Sequence, residues 1–209
     1  MPVILAFGDS NTWGATPATG ERMGKSVRWP GVMAAALGPD FEVIEEGLRG
    51  RTLAFEDPEE SGRNGLAYFA PCLRSHAPLD LVIVSLGCND CKAIFAATPE
   101  TIAENAARLL DVALASDTGA GGDPPLLILV APPPIAKLTG FAEMFAGGAE
   151  KALRLPSLYH RLAEARGIGF VEAGAFIHAS DDDGIHYAPD QHAILGAAMA
   201  EAARMMLAA

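Results

Sequence analysis

Five short apolar runs along the chain alternate with longer segments of helical pattern. Most of the runs are apolar without alternation, which is typical of strands covered on both faces in a parallel sheet. We therefore predict strands at residues 3–7, 41–46, 79–86, 126–131 and 168–173. The longer segments predict helices at residues 29–37, 65–76, 99–115, 149–166 and 189–207.

The order of these elements predicts the fold class. Strand followed by helix, five times over, favours a three-layer α/β/α sandwich with a five-stranded parallel sheet and right-handed crossovers. Thr98 and Pro99 form a favourable helix start, and Pro156 predicts that the fourth helix is kinked or divided. A chain of 209 residues suits a single domain, which we expect to span residues 1–209.

Composition and charge argue against several classes of function. Half of the residues are hydrophobic and a fifth are charged, which indicates a globular chain. The net charge of -11 would repel an extended phosphate backbone, so we expect no nucleic-acid partner. The first apolar run is too short for a signal peptide and lacks a basic region, and no run reaches the roughly 20 apolar residues of a membrane span. We expect a soluble protein without a membrane partner.

The three cysteines are Cys72, Cys88 and Cys91, and they cannot all pair. They suit a reducing compartment, so we expect a cytoplasmic location. Cys88 and Cys91 form a C-x-x-C, which fits either a redox dithiol or half of a zinc site. No second cysteine pair or Cys/His cluster completes a metal set in the sequence, so we favour simple packing beside a loop.

Polar residues fall where three of the predicted strands end. Gly8, Asp9 and Ser10 follow the first strand, Gly47 follows the second, and the stretch 87–90 follows the third. The carboxyl ends of parallel strands meet at one edge of a sheet, where ligands gather in such folds. We therefore expect these residues to lie close together.

Ser10 fits two interpretations. A serine that follows a strand and a turn glycine is placed like an exposed nucleophile at a helix start, where free N–H groups can meet an oxyanion. Serine is equally a common helix cap.

Of the five histidines, His186 has a carboxylate in a fixed near relation, Asp183, three positions before it. Gly184 permits a tight turn between them, so Asp183 could accept the Nδ1 proton and leave Nε2 for Ser10. The other interpretation of DDDGIH is an acidic solvated loop. His192 is the rival base, but it falls within the last predicted helix.

Ester cleavage also needs donors that face the developing oxyanion. The candidates are the backbone N–H groups of Ser10 and Gly47 and the side-chain amide of Asn89. Taken singly, Gly47 reads as a turn glycine and Asn89 as a loop-capping amide.

Four blocks occur together in the order and approximate spacing of the SGNH hydrolases, also called GDSL esterases: FGDSNTWG at 7–14, EEGLRGRT at 45–52, SLGCNDCK at 85–92 and DGIHYAPDQHAILG at 183–196. The resemblance spans almost the whole chain. GDSxTWG with EEGLxxRT is most similar to the branch of arylesterases and acyltransferases that act on short acyl esters and some acetylated sugars.

The resemblance implies a flavodoxin-like SGNH hydrolase fold with Ser10 as nucleophile and Asp183 and His186 completing the triad. It implies that Gly47 and Asn89 join the Ser10 N–H in the oxyanion hole. Asn11 stands where the family pattern has leucine, which should change the wall behind the nucleophile. Cys88 and Cys91 flank the Asn-Asp pair where small polar residues are more usual, which affects only that loop.

The expected function is that of a serine esterase for short, acetyl-type esters, including aryl esters and acetylated sugars, through an acyl-enzyme and without metal or cofactor. Asn11, Trp13, Phe141 and Phe145 are the candidate pocket residues. The aromatic pair lies in the long, glycine-rich segment 131–148, which fits a lid or a subunit contact. A narrow pocket favours short acyl chains and small-molecule esters. The family resemblance raises the expectation of a homo-oligomer.

Other functions stay open. A crowded apolar pocket would favour alcohols over water as acyl acceptor and make the protein an acyltransferase. Asp9, Asn89, Asp90 and His186 resemble parts of a metal-dependent phosphoesterase, although no D-x-H follows the first strand. A flavodoxin-like binding module is disfavoured because the sequence lacks a glycine-rich phosphate motif. An α/β-hydrolase is disfavoured because the second glycine of G-x-S-x-G is missing after the serine.

Overall fold

The computed structural model describes residues 1–208 and contains a five-stranded sheet with helices on both faces. The strands are β1 (Val3–Gly8), β2 (Glu42–Gly47), β3 (Leu81–Ser85), β4 (Leu126–Ala131) and β5 (Gly169–Glu172). The helices are α1 (Ser10–Trp13), α2 (Trp29–Leu37), α3 (Gly65–His76), α4 (Pro99–Leu114), α5 (Gly148–Ala152), α6 (Leu155–Arg166) and α7 (Pro189–Leu207). A short 3₁₀ helix, Asn89–Cys91, follows β3.

The strand order positions the residues that follow β1. All pairings are parallel, and the order across the sheet is β2-β1-β3-β4-β5, which is the doubly wound order of flavodoxin-like folds. β1 lies between β2 and β3, so the chain crosses to opposite sides of it and leaves a crevice at its carboxyl end. Gly8 is in register with Gly47 on one neighbour and with Ser85 on the other. The polar residues at the ends of these three strands therefore lie side by side at the carboxyl edge of the sheet.

Alternation along the strands divides the core into two layers. Leu5 and Phe7 of β1 point into a cluster formed with α3, α4 and α6. Ile4 and Ala6 point to the other face, where α2 and α7 supply the apolar side chains. Because both faces of the sheet are covered at its centre, β1, β3 and β4 are apolar nearly throughout, whereas the edge strand β2 carries three glutamates. The predicted three-layer α/β/α sandwich is confirmed.

The predicted elements are confirmed with small changes at their ends. β3 is shorter than the predicted 79–86 because Leu79 and Leu86 pack in the core without belonging to the strand. β2 extends to Gly47, so this glycine ends the strand instead of following it. The segment 149–166 is divided into α5 and α6, with Pro156 in the first turn of α6, as its proline predicted.

The N-terminus of α4 has the cap that the sequence predicted. The Thr98 hydroxyl accepts a hydrogen bond from the Thr101 N–H at 3.1 Å, and Pro99 occupies the first helical position. Within residues 1–208, every helix is either too short or too polar to cross a bilayer.

Candidate active site

A cavity of about 340 Å³ opens at the carboxyl edge of the sheet and is lined by Ser10, Asn89 and His186. These side chains come from the residues after β1, from the 3₁₀ helix after β3 and from the loop before α7. Apolar residues form one side of the cavity: Phe141, Met144, Phe145 and Ile185. Charged residues form the other side: Arg49, Asp57, Glu59, Glu60, Arg63 and Lys92.

Ser10 is the first residue of the short helix α1. Asp9, not Ser10, is the capping residue, since its Oδ1 accepts a hydrogen bond from the Asn11 N–H at 2.9 Å. The Ser10 hydroxyl is therefore free of the capping role and lies 3.0 Å from Nε2 of His186. Ser10 is 5 % exposed, so this contact is largely shielded from water. Such a pairing can transfer a proton from the hydroxyl to the imidazole.

The turn from Asp183 to His186 holds the imidazole in place. Gly184 has a φ of 84°, a left-handed conformation that favours glycine. The turn brings Asp183 Oδ2 to 2.7 Å from Nδ1 of His186. Oδ1 accepts hydrogen bonds at 2.9 Å from the N–H groups of Ile185 and His186. The Asp-His-Ser chain is thus continuous from carboxylate to hydroxyl.

Asp183 is held in its charged form. Burial acts to raise its pKa, but hydrogen bonds from the His186 side chain and from the two backbone N–H groups outweigh it and keep the pKa below the ordinary value. A further donor is the Ala18 N–H, 3.1 Å from Oδ2. A carboxylate fixed by four donors can stabilise an imidazolium formed on His186.

Asn11 joins the serine segment to the histidine loop. Its Nδ2 donates to the Ile185 carbonyl at 3.2 Å, and its Oδ1 accepts from the Tyr187 N–H at 3.1 Å. The amide therefore binds the backbone on both sides of His186. Sequence analysis placed Asn11 in the pocket wall, but it is not among the residues lining the cavity. We call this pair of hydrogen bonds the Asn11 clasp.

Asn89 is oriented by neighbours at the sheet edge. Its Nδ2 donates to the Arg51 carbonyl at 3.1 Å and lies 3.5 Å from Asp9 Oδ2. Arg51 in turn donates to the carbonyls of Gly8 and Glu46, at the ends of β1 and β2. These contacts fix the orientation of the Asn89 amide, and Asn89 lines the cavity.

Gly47 packs directly against the start of α1. A Cβ added at Gly47 would lie 2.2 Å from the Trp13 nitrogen and 2.6 Å from the Thr12 carbonyl carbon. Only glycine permits this approach. Gly47 lines a neighbouring cavity of about 510 Å³, not the one that contains Ser10.

The candidate pocket residues divide into two groups. Phe141 and Phe145 line the cavity, and the Phe141 ring stands edge-on to the His186 ring, with centroids 6.0 Å apart. Trp13 does not line it. The guanidinium carbons of Arg22 and Arg49 lie 5.1 and 5.6 Å from the centre of its indole ring. Trp13 therefore contacts Arg49, which itself lines the cavity.

Segment 131–148 packs over the site. The Ala136 N–H donates to the Gly184 carbonyl at 2.9 Å, and the Ala93 N–H donates to the Met144 carbonyl at 2.8 Å. The segment is thus tied both to the histidine loop and to the stretch after Asn89. Of this segment, the side chains of Phe141, Met144 and Phe145 line the cavity.

Sequence analysis missed the charged side of the cavity. Lys92 and Asp57 are buried and form an ion pair at 2.9 Å. They lie 35 positions apart in the chain, so no local pattern connects them. The signal that could have identified Asp57 is the polar segment after β2, which the parallel-sheet rule delivers to this edge.

Two further buried carboxyls surround the site. Burial raises the pKa of Asp9 to about 6 and that of Asp90 to about 7. Both are held by backbone amides, Asp9 by Asn11 and Asp90 by Leu53 at 3.0 and 3.1 Å. These carboxyls position the loops that carry Ser10 and Asn89.

The remaining sequence candidates lie in other roles. His192 Nδ1 accepts a hydrogen bond from the Trp29 N–H at 3.2 Å, and burial lowers its pKa to about 4, so it packs as a neutral ring. Cys88 and Cys91 are buried and unbridged, as is Cys72. Burial raises the pKa of Cys91 to about 12, which makes its thiol unreactive.

The sequence and the fold of this chain are similar to those of known proteins. The family model described as GDSL-like lipase/acylhydrolase matches residues 6–194. The solved aryl esterase from M. smegmatis is 42% identical, with a TM-score of 0.94 over 99% of this chain and 100% of that one. A carbohydrate acetylesterase from Sinorhizobium meliloti is 39% identical, with a TM-score of 0.95 over 98% of this chain and 99% of that one. No curated protein matches the sequence.

Proposed function

Since this chain belongs to the GDSL-like lipase/acylhydrolase family, we propose that it is a serine esterase in which Ser10, His186 and Asp183 cleave short acyl esters. The observation that carries this proposal is the pair of contacts made by His186, at 3.0 Å to the Ser10 hydroxyl and 2.7 Å to the Asp183 carboxylate. A nucleophile, a base and an orienting carboxylate within hydrogen-bond reach are what acyl transfer through an acyl-enzyme requires.

The reaction proceeds in two steps. Ser10 Oγ attacks the ester carbonyl while His186 Nε2 takes its proton, and Asp183 stabilises the imidazolium. His186 then returns that proton to the departing alcohol oxygen as the carbon–oxygen bond breaks. Water attacks the acyl-enzyme with His186 again acting as base, which releases the acid and restores the serine.

The oxyanion would be bound by the N–H of Ser10, the N–H of Gly47 and the amide of Asn89. Each donor of this kind contributes about 10² to 10³ in rate. Rigid placement supports this assignment, because Asn89 is fixed by the Arg51 carbonyl and Gly47 packs on the first turn of α1.

The two sides of the cavity support a short acyl group joined to an aryl or sugar alcohol. Phe141 stands beside His186 and Phe145 packs against Phe141, so these two rings would limit the space for the acyl chain. Arg49, Asp57 and Lys92 offer donors and acceptors that a sugar hydroxyl can use. The names of the two similar solved proteins fit these alcohols.

The test of the nucleophile is labelling with a fluorophosphonate, followed by peptide mapping and turnover of p-nitrophenyl acetate. The adduct is expected on Ser10, and Ser10→Ala should remain folded and inactive. Ser75→Ala is the matched control, because Ser75 is exposed on α3 and bonds only to the Pro71 carbonyl there. An adduct elsewhere, or substantial turnover by Ser10→Ala, contradicts the proposal.

The test of acyl length compares p-nitrophenyl acetate with the palmitate ester. A preference for acetate supports the short-chain assignment, whereas a preference for palmitate rejects it.

A second candidate activity is transfer of the acyl group to alcohols. The apolar side chains of Phe141, Met144 and Phe145 beside the nucleophile favour it, because they disfavour water near the acyl-enzyme. Product analysis with added alcohol in water distinguishes the two: a new ester indicates transfer, and free acid alone indicates hydrolysis.

The cellular location and the oligomeric state are also proposals. Three unbridged cysteines fit a reducing, cytoplasmic compartment. We also propose that the protein forms a homo-oligomer. Light scattering of the purified protein tests this directly.

A further inference from the structure

Outside the candidate active site, the fold brings three metal-binding side chains together at the carboxyl end of β2. Glu46 comes from the end of that strand, while Cys72 and His76 are four residues apart on α3 and so share one face of the helix. A carboxylate oxygen, the thiol sulfur and an imidazole nitrogen of these residues all lie within 4.8 Å of one another. We call this group the Glu46 cluster.

The chemistry of the Glu46 cluster suits a borderline-soft divalent ion. Thiolate, imidazole and carboxylate are the three ligand types that bind zinc in proteins. Around a tetrahedral zinc, such ligand atoms lie roughly 3.3 to 3.6 Å apart, given metal–ligand distances of about 2.0 to 2.3 Å. His76 Nε2 lies 2.9 Å from Glu46 Oε1, about half an ångström closer than around zinc, and the Cys72 sulfur lies within 4.8 Å of both, so modest movements of the side-chain ends would admit an ion.

The charges of the surroundings permit an ion there. Glu46 and a deprotonated Cys72 together neutralise a divalent cation. The guanidinium of Arg51 lies 3.9 Å from Glu46 Oε2, so a charge beside the cluster is already accommodated. Cys72 is an unbridged cysteine, and a cysteine binds a metal as the thiolate, so binding of the ion releases the thiol proton.

An ion can reach the cluster from solvent. Cys72 itself is fully buried, but Glu46, Arg51 and Tyr68 line the cavity of about 510 Å³ at this position. His76 is partly exposed on the same side. The Tyr68 hydroxyl lies 3.4 Å from Glu46 Oε1, so this tyrosine or a water molecule from the cavity would complete four-coordination.

We propose that Glu46, Cys72 and His76 form a binding site for one zinc-type divalent ion, separate from the esterase machinery. Binding forms bonds from the metal to Glu46 oxygen, Cys72 sulfur and His76 nitrogen, and the Cys72 proton leaves to solvent. The ion ties the end of β2 to α3. Because Gly47 follows Glu46 directly, the site lies next to a proposed oxyanion donor without taking part in ester cleavage.

The test uses the full chain, freed of metal with a chelator and titrated with Zn²⁺ against a chromophoric chelator. One equivalent should bind and release about one proton per ion from the thiol. Titration with Co²⁺ should give a thiolate-to-cobalt charge-transfer band, which reports the sulfur ligand itself. Absence of stoichiometric binding overturns the proposal.

Three variants assign the ligands. Loss of a residue that only hydrogen-bonds to a metal ligand weakens metal affinity by roughly 10- to 100-fold. His76→Gln removes a ligand itself, so it should weaken zinc affinity by more than this. Its position at the surface keeps the fold intact. His160→Gln is the matched control, because His160 is also a helix histidine beside a glutamate, 3.6 Å away, but is far from Cys72. Cys72→Ala should abolish the cobalt band. Equal affinity of wild type and His76→Gln contradicts the site.

The same titration with Ser10→Ala separates this proposal from the esterase. Ser10→Ala should bind zinc as the wild type does. A wild-type protein that binds zinc but does not turn over ester would contradict only the proposed function.

Discussion

The Asn11 clasp gives a sharp prediction, because the substitution Asn11→Leu restores the leucine of the family motif. In this chain the amide of Asn11 holds the Ile185 carbonyl and the Tyr187 N–H, on either side of His186. Leucine has a similar volume but no polar atoms, so both hydrogen bonds are lost. We expect the motif-restoring change to reduce activity.

The size of the effect follows from the burial of the clasp. Asn11 is 4 % exposed, so the two backbone groups have little access to water when the amide is removed. Each buried group left without a partner costs about 1 to 3 kcal/mol. The loop that carries His186 would keep its bonds to Asp183, Ser180 and Ala136 but lose its tie to the serine segment. A shift of about 1 Å at a catalytic group costs roughly 100-fold in rate. We expect kcat to fall by about 10- to 100-fold.

The assay is steady-state hydrolysis of p-nitrophenyl acetate, with KM and the urea unfolding curve measured alongside. KM should change little, because Asn11 does not line the cavity. The matched control is Asn105→Leu, since Asn105 is also a buried asparagine but lies on α4 and accepts a hydrogen bond from Arg108. That variant should lose stability and keep its kcat. If Asn11→Leu retains the wild-type kcat, the clasp does not position His186.

Three further predictions concern the surroundings of the site. Gly47→Ala should lower both kcat and the melting temperature, because its Cβ would overlap the Trp13 nitrogen and displace α1; an unchanged kcat would count against that packing. Phe141→Ala should raise the rate with butyrate or hexanoate esters relative to acetate, and an unchanged ratio would show that Phe141 does not limit chain length. The raised pKa of Asp90, about 7 instead of 3.8, contributes stability that is present below pH 3.8 and is lost as the pH rises through about 7. Between pH 5 and pH 8 the wild type should therefore lose about 3 kcal/mol more unfolding free energy than Asp90→Asn, since each pKa unit corresponds to about 1.4 kcal/mol; parallel pH profiles in urea titrations would refute this.

The apolar runs predicted β1, β3 and β4, since residues covered on both faces of a sheet must be apolar. The edge strand β2 carries three glutamates and does not show this pattern. The ends of β3 were less predictable, because Leu79 and Leu86 are as buried as the strand itself but lie outside its ladder, and Leu79 pairs only in an isolated bridge with Gly119. Burial determines the hydrophobic pattern, whereas hydrogen bonding determines where a strand ends.

The candidate site was predictable where neighbours in sequence carry it. Asp183 and His186 lie on one turn, and Ser10 follows a strand whose end the parallel sheet places at the ligand-binding edge. The position of Trp13 was not predictable in this way, because its ring packs with Arg22 and Arg49 outside the cavity.

The sequence by itself determined the layer order of the fold and the set of residues that meet at one edge of the sheet, because periodicity and strand order act along the chain. Only the tertiary structure decided which distant side chains touch: Asn11 with the His186 loop, Asp57 with Lys92, and Glu46 with Cys72 and His76. Such contacts depend on rotamers and helix positions set by packing of the whole core, which no local stretch of sequence specifies.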